Sequence, residues 1–449
     1  MTQALNQTPL NTKKLSDTKS LPNTETLPNT KTLPDTTPPP KFDKTSQESL
    51  SQENLSTKYD QLTKYNQLTK YNQLTKYNQL TKYNQLTHRE LKDKILLKVR
   101  IDLENIETAL HDNLTPHLNL VSEIAGHLLF SGGKRLRPLL MLLSSRLCNY
   151  QGSLAIKFST IFEYLHAATL LHDDVVDEAV IRRGKTAAHS LWSIPKVVLT
   201  GDFLLARALT IAAETGIPAI ISVMAGITED MSQGEIGQME QKGRVDLTEA
   251  EYLRIIERKT AVLIKGACRS GAIIANAGKA KENALDKYGY HLGLAFQMAD
   301  DLLDYTGDTV TLGKKPGADL REGKLTLPLI HALSRANIKD RDIMENIIAR
   351  QGDDRKNFEC DSNINLNTDD RSLQNYDESQ QKMDNLQTSH SDQFEIILDK
   401  IHKYQGIEYT ELQARNHVAE AKKSLEIFDM CESRDIMTML ADYSIARKV

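Results

Sequence analysis

From Leu91 onward the chain alternates apolar stretches of helical length with short polar breaks. The stretches "LLKVRIDLENIETAL", "PLLMLLSSRL", "FSTIFEYLHAATLLHDD", "FLLARALTIAAE", "EYLRIIERKTAVLIKGACRSGAIIANAG" and "ALDKYGYHLGLAFQMADDLLDY" are each ten residues or longer. They are rich in Ala, Leu, Met and Glu and show little strand-like alternation, which predicts helices. The breaks "SGGKRLRP", "RRGKTAAH", "LTGD" and "GKKPGADLREGK" carry the Gly, Pro and Asp residues that end or start helices. Asp202, in "LTGDFLLARA", reads as such a helix N-cap. The pattern as a whole predicts an all-α fold, a helical bundle.

Two regions lack this pattern. Residues 1–86 are nearly all Thr, Asn, Gln, Lys, Leu, Pro and Ser, and "QLTKYN" recurs from position 61 with a period of six. A period of six matches neither the helix nor the heptad, and the unit is mostly polar, so a hexapeptide tail without a core is expected. The segment at about 351–392 is similarly polar. The expected organisation is a disordered tail over 1–86 and one large catalytic domain over 87–449, interrupted by a polar insert at about 351–392.

Composition narrows the function. A net charge of −4 and the absence of a basic stripe argue against a nucleic-acid surface. Cys148, Cys268, Cys360 and Cys431 are far apart and have no metal-ligand spacing. No apolar run reaches eighteen residues, and neither a secretory leader nor a transit peptide is expected, so a cytoplasmic protein without a transmembrane segment is the reading. A peripheral contact with a membrane surface stays open.

The candidate chemistry lies in two acidic motifs. "LLHDDVVDEAVIRRG" carries Asp173, Asp174 and Asp177; "FQMADDLLDYTGD" repeats the spacing with Asp300, Asp301 and Asp304. Members four apart share a helix face, so each motif sets carboxylates side by side at the end of an apolar helix. Such acids repel unless cations neutralise them. Oxygen-only ligands favour Mg²⁺, which usually holds substrate phosphates as well. Basic groups recur nearby: Lys134, Arg135 and Arg137 after a Gly pair, Arg182 and Arg183 after the first motif, and Lys314, Lys315 and Lys324 after the second. Guanidinium forks suit phosphate oxygens. No nucleotide-binding P-loop is present. Gln233 and Glu235, in "MSQGEIGQ", are polar candidates without a fixed role.

Together "GGKRLRP", "LLHDDVVDEAVIRRG", "GDFLLARA", "ERKTA", "FQMADDLLDYTGD" and "GKKPGADLREGKLTLPLIHAL" resemble the trans-isoprenyl (polyprenyl) diphosphate synthases, and most closely those making octaprenyl and longer chains. The resemblance spans about 87–350 and 393–449. It implies an isoprenoid-synthase-type helical bundle around a deep central cavity, a homodimer, and three Mg²⁺ in each active site. Asp173 and Asp177 resemble ligands of the Mg²⁺ on the allylic diphosphate, and Asp300 that of a further Mg²⁺, with Asp304 in support. Arg182 resembles the arginine on the allylic diphosphate. Lys134, Arg137, His166 and Arg183 resemble the isopentenyl diphosphate pocket. Lys259, Thr260 and Gln297 resemble groups beside the allylic diphosphate and the developing cation. Lys314 (or its neighbour Lys315) and Lys324 complete the clamp.

The implied reaction is repeated condensation of isopentenyl diphosphate onto an allylic diphosphate. The family's bulky stop lies four or five positions before the first motif. Ala168 and Thr169 stand there and are small, so a medium-to-long all-trans product for quinone side chains is expected. A short-chain synthase making farnesyl or geranylgeranyl diphosphate, a terpene cyclase, and a non-catalytic partner subunit of a heteromeric synthase are the competing readings.

Overall fold

Thr87 opens the first helix with a reciprocal cap. Its hydroxyl accepts from the Glu90 amide at 3.3 Å, and the Glu90 carboxylate accepts from the Thr87 amide at 2.8 Å. Helix α1 (His88–Asn113) then buries Leu91, Ile95, Val99, Ile106 and Leu110, a stripe at three- and four-residue spacing. The structure is a computed structural model that describes residues 87–307, 316–361 and 392–446, with backbone only over 350–361. All of these lie in one compact unit, Thr69–Val449. The repeats of 1–86, Lys314 and Lys315, and the insert over 362–391 lie outside the described residues.

The other elements follow as helices: α2 (Asn119–Leu129), α3 (Leu136–Leu147), α4 (Leu154–Val176), α5 (Ala188–Leu191), α6 (Ile194–Glu214), α7 (Pro218–Glu240), α8 (Glu249–Ile256), α9 (Val262–Ile274), α10 (Lys279–Thr306), α11 (Ala318–Arg321), α12 (Leu327–Arg335) and α13 (Ile338–Asp361). A helix over 392–403 (α14) precedes α15 (Gly406–Ser424) and α16 (Glu432–Ile445). Among the described residues the β-structure is one antiparallel ribbon, β1 (Ile181–Arg182) with β2 (Lys185–Thr186). The fold is all-α, as the apolar pattern predicts.

Three details depart from the sequence reading. Asp202 is not an N-cap: α6 starts at Ile194, with Pro195 in its first turn, and runs through "LTGD". Gly201 is there for packing, because a Cβ at this position would collide with the His172 ring of α4. The break "RRGK" is a two-residue hairpin turn, with Arg183 at φ 52° and Gly184 at φ 74°. Finally, α13 continues past residue 351, where the polar insert was expected to begin, to Asp361. Once nucleated on its buried first turns, a helix propagates through polar residues at little cost.

Two hydrophobic cores meet along α10. The larger joins α1–α7, α9, α16, the start of α10 and the second half of α15; the smaller joins α8, the end of α10, α11–α14 and the first half of α15. Between α8 and α9 the helix widens into one π turn, Glu257–Ala261, the "ERKTA" stretch. Gly293 on α10 makes room for it, since a Cβ there would lie 2.5 Å from Ala261 Cα. Single π turns are frequent at functional sites, and this one carries Lys259 and Thr260.

Candidate active site

Helices α4 and α10 both end in acids beside one cavity of about 470 Å³. The C-terminus of a helix carries the negative end of its dipole, so carboxylates are disfavoured there. Asp173, in the last turn of α4, lines the cavity. Burial pushes its carboxyl up to about 6; Glu235 and Asp177 push the same way, against Lys259 and Arg182. Asp177 caps α4. Burial raises its carboxyl too, but Lys324, Lys242 and Lys259 outweigh it and hold Asp177 below the usual range. Lys324 Nζ stands 3.5 Å from Asp177 Oδ2, and Lys242 Nζ stands 3.6 Å from Oδ1. Asp174 is 1 % exposed and faces away; Arg182 Nε donates to its Oδ1 at 2.7 Å.

The second motif is arranged differently. Asp300 lines the main cavity. Asp301 lines a smaller pocket of about 190 Å³ behind it, where Tyr252 and Gln297 hydrogen-bond to it. Asp304 is 2 % exposed, and its two oxygens accept from the Ala318 and Asp319 amides at 3.1 and 2.9 Å. The shared face expected for Asp300 and Asp304 therefore splits. Asp300 looks into the cleft, and Asp304 ties the chain after the motif back onto α10.

Opposite the acids stands a basic wall. Arg137 and His166 line the cavity, and Arg137 Nε is buried with no hydrogen-bond partner in the protein, an orphaned donor facing a space that an anion could fill. Burial first, then Arg137, Arg183, Arg182 and Arg135, push the His166 imidazolium well below its usual range, so the ring is neutral. Arg135 is consumed by structure, donating to both Glu107 oxygens, to Glu163 and to the Leu129 carbonyl. Arg183 Nη1 donates to the Gly132 carbonyl at 2.6 Å and ties the hairpin to the Gly pair. Lys134 is placed elsewhere than expected. It borders a neighbouring apolar cavity of about 490 Å³, with Nζ 5.4 Å above the Tyr443 ring.

Lys259, on the π turn, lies 2.6 Å from Glu235 Oε2 and donates to Gln238 Oε1 at 2.7 Å. Thr260 Oγ1 donates to Gln297 Oε1 at 2.8 Å. Deeper in, the wall is apolar, with Leu165, Leu205, Met231, Leu263 and Phe296 beside Ala168 and Thr169. The Thr169 hydroxyl is satisfied by the His166 carbonyl at 2.9 Å. Sequence reasoning missed Tyr252 and Lys242, and left Glu235 without a role. An isolated Tyr, Lys or Glu carries no local signal, and only the crossing of α7, α8 and α10 brings them in.

The polyprenyl synthetase profile matches residues 118–362. An octaprenyl diphosphate synthase of Haemophilus influenzae is 37 % identical over 272 residues, 61 % of this chain and 82 % of that protein. The chain belongs to the polyprenyl synthetase family. It is an enzyme, a prenyltransferase of the trans-polyprenyl diphosphate synthase type, and membership implies isopentenyl and allylic diphosphates as substrates. A geranylgeranyl diphosphate synthase of Saccharolobus solfataricus is 33 % identical over 269 residues, 58 % of this chain and 81 % of that one. A polyprenyl synthase of Caulobacter crescentus, crystallised with calcium and isoprenyl diphosphate, superposes with a TM-score of 0.67 at 33 % identity, covering 80 % of this chain and 98 % of its own. No helix among the described residues is long and apolar enough to cross a membrane.

Family membership implies a divalent metal, and the donor set fits one. Asp173, Asp177 and Asp300 offer oxygen alone, and the burial and neighbouring acids that lift Asp173 are offset by a cation. Among the described residues no three His, Cys, Asp or Glu side chains form a ready cluster.

Proposed function

We propose that the enzyme condenses isopentenyl diphosphate repeatedly onto an allylic diphosphate and releases a medium-to-long all-trans polyprenyl diphosphate, octaprenyl-like or longer, for quinone side chains. The observation that carries this reading is a single cleft. Acids face a basic wall at its mouth, and the deep side at Ala168 and Thr169 is small. In this reading Asp173, Asp177 and Asp300 hold Mg²⁺, three ions in the full complex; Asp304 acts from behind, by anchoring the chain that follows. The metal supplies charge neutralisation of the diphosphate group.

The chain's own residues do the rest. Arg182, Lys259 and Lys324 bind the allylic diphosphate, with Lys314 expected to join them. Arg137, His166 and Arg183 form the isopentenyl diphosphate side, and Lys134 can reach it only by leaving the Tyr443 ring. The neutral His166 ring donates a hydrogen bond without adding charge. As the allylic C–O bond breaks, the electron pair leaves with diphosphate, held by these fixed charges. Thr260 and Gln297 stand beside the cationic carbon. The isopentenyl double bond attacks that carbon, and the proton lost from the adjacent position passes to the departing diphosphate. Leu165, Leu205, Leu263 and Phe296 keep water from the cation and receive the growing chain.

Exposed apolar side chains on α6 and α7, Leu199, Ile221, Ile236 and Met239, support a homodimer across these helices. A cytoplasmic location fits this reading. The deciding experiment is chromatography of the products formed from farnesyl and isopentenyl diphosphates. Products longer than twenty carbons are expected, and a stop at fifteen or twenty would replace the proposal with a short-chain synthase. Ala168→Phe should shorten the product; an unchanged distribution would place the length-setting wall elsewhere. Gel filtration with the assay decides between an active homodimer and a subunit that needs a partner.

A further inference from the structure

The middle acid of the second motif is the centre of a buried relay. Tyr252, on α8, donates its hydroxyl to Asp301 Oδ2 at 2.6 Å. Asp301 Oδ1 accepts from Gln297 Nε2 at 2.8 Å, and Gln297 Oε1 accepts from Thr260 Oγ1 at 2.8 Å. Side chains from α8, α10 and the π turn thus form one directed chain of hydrogen bonds. Its ends face different spaces. Tyr252 and Asp301, each 3 % exposed, border only the smaller pocket, whereas Thr260 and Gln297 border both that pocket and the main cleft.

Direction matters because an amide has two unlike edges of nearly equal size. With both Asp301 oxygens accepting, Gln297 must present its NH₂ edge to Asp301 and its carbonyl edge to Thr260. Thr260 must then donate, and its oxygen lone pairs turn toward the cleft. Without the tyrosine hydroxyl, Asp301 Oδ2 loses its donor inside the second core. The carboxylate is then free to swing, and the Gln297 amide to turn over.

We propose that Tyr252 is a positioning residue for the reaction. It pins Asp301, Asp301 selects the edge that Gln297 presents, and Gln297 sets the Thr260 hydroxyl at the cleft. The inference rests on the proposed function, which puts Gln297 and Thr260 beside the reacting allylic carbon. Tyr252 does not line the main cleft and meets the site through Asp301, so its loss should slow turnover and leave substrate affinity alone.

The test is a double-mutant cycle on the full-length enzyme with Mg²⁺, measuring kcat and both KM values for wild type, Tyr252→Phe, Gln297→Met and the double variant, with melting temperatures alongside. Tyr252→Phe is expected to lower kcat about tenfold with each KM within about twofold. In the Gln297→Met background the same change should cost less than about twofold, because the orientation it protects is already lost. Additive losses, an unchanged kcat, or a loss carried by KM would overturn the proposal. If Tyr252→Phe does not fold, Asp301→Asn takes its place in the same cycle, with the same two outcomes. A wild-type enzyme that elongates no allylic diphosphate would instead sink the proposed function, which keeps the two failures apart.

Discussion

The two acidic motifs share one spacing and end two helices at one cleft, yet they are built differently. In the first, Asp173 lines the cleft, Asp177 meets Lys242 and Lys324 at the helix end, and only Asp174 is buried, against Arg182. In the second, only Asp300 faces the cleft. Asp301 and Asp304 are buried and hold the architecture, the one through Tyr252 and Gln297, the other through two backbone amides. What lies beyond each helix explains the difference. After α4 the chain leaves in an exposed hairpin, so the end of the motif stays open. After α10 the chain returns at Gly317, whose amide donates to the Asp304 carbonyl at 2.9 Å, and closes over the last turn. Equal spacing in sequence therefore specifies equal helix faces but not equal duties.

Substitutions separate the two designs, and the largest effect is expected in catalysis. Asp173→Asn should lower kcat by at least about 10³-fold in steady-state assays, through loss of metal-borne charge stabilisation. A loss smaller than tenfold would remove Asp173 from the metal set. Next, Asp304→Ala should cost about 3 kcal/mol in urea unfolding, because the buried carboxylate that accepts from two half-buried amides is lost. Asp177→Ala should cost less than about 1 kcal/mol in the same measurement, since its two ion pairs are long, at 3.5 and 3.6 Å, and Lys324 keeps Glu322 as a partner. Equal costs at the two positions would erase the contrast between the two motifs.

Arg182→Ala should follow, at about 2 kcal/mol, by leaving the buried Asp174 unpaired; Asp174→Asn in the same chain should restore most of that loss. The smallest effect is a gain. With the carboxyl of Asp173 at about 6 in the fold and about 3.9 when unfolded, the cost of its charge, set first by burial and then by Glu235 and Asp177, is absent below about pH 4 and complete above about pH 6. Metal-free Asp173→Asn should accordingly be about 1 kcal/mol more stable than wild type at pH 7.5, with the gain vanishing at pH 4. A destabilised variant at pH 7.5 would mean that favourable partners of Asp173 outweigh the cost of its charge.

Much of this arrangement is legible in the residues themselves. Apolar periodicity announces α1, α3, α4, α6, α8, α9 and α10, and the acids at the ends of two of them announce a cation and an anionic substrate. Locally, however, signals mislead where packing takes over. Gly201 and Asp202 look like a helix break but sit inside α6, because a glycine is needed against His172. Lys134, Arg135 and Arg137 look alike in a basic run, yet one lies over a tyrosine, one is spent on Glu107 and Glu163, and one lines the cleft.

By itself the sequence determined the all-helical class, the helix faces and the chemistry that two acidic motifs and their basic neighbours could perform, because periodicity and charge are local properties. Tertiary structure alone decided which acids remain open, which cations meet them, where the π turn places Lys259 and Thr260, and that Tyr252 reaches Asp301. Those outcomes depend on contacts between helices far apart in the chain, and the physical cost of burying each polar group selects among them.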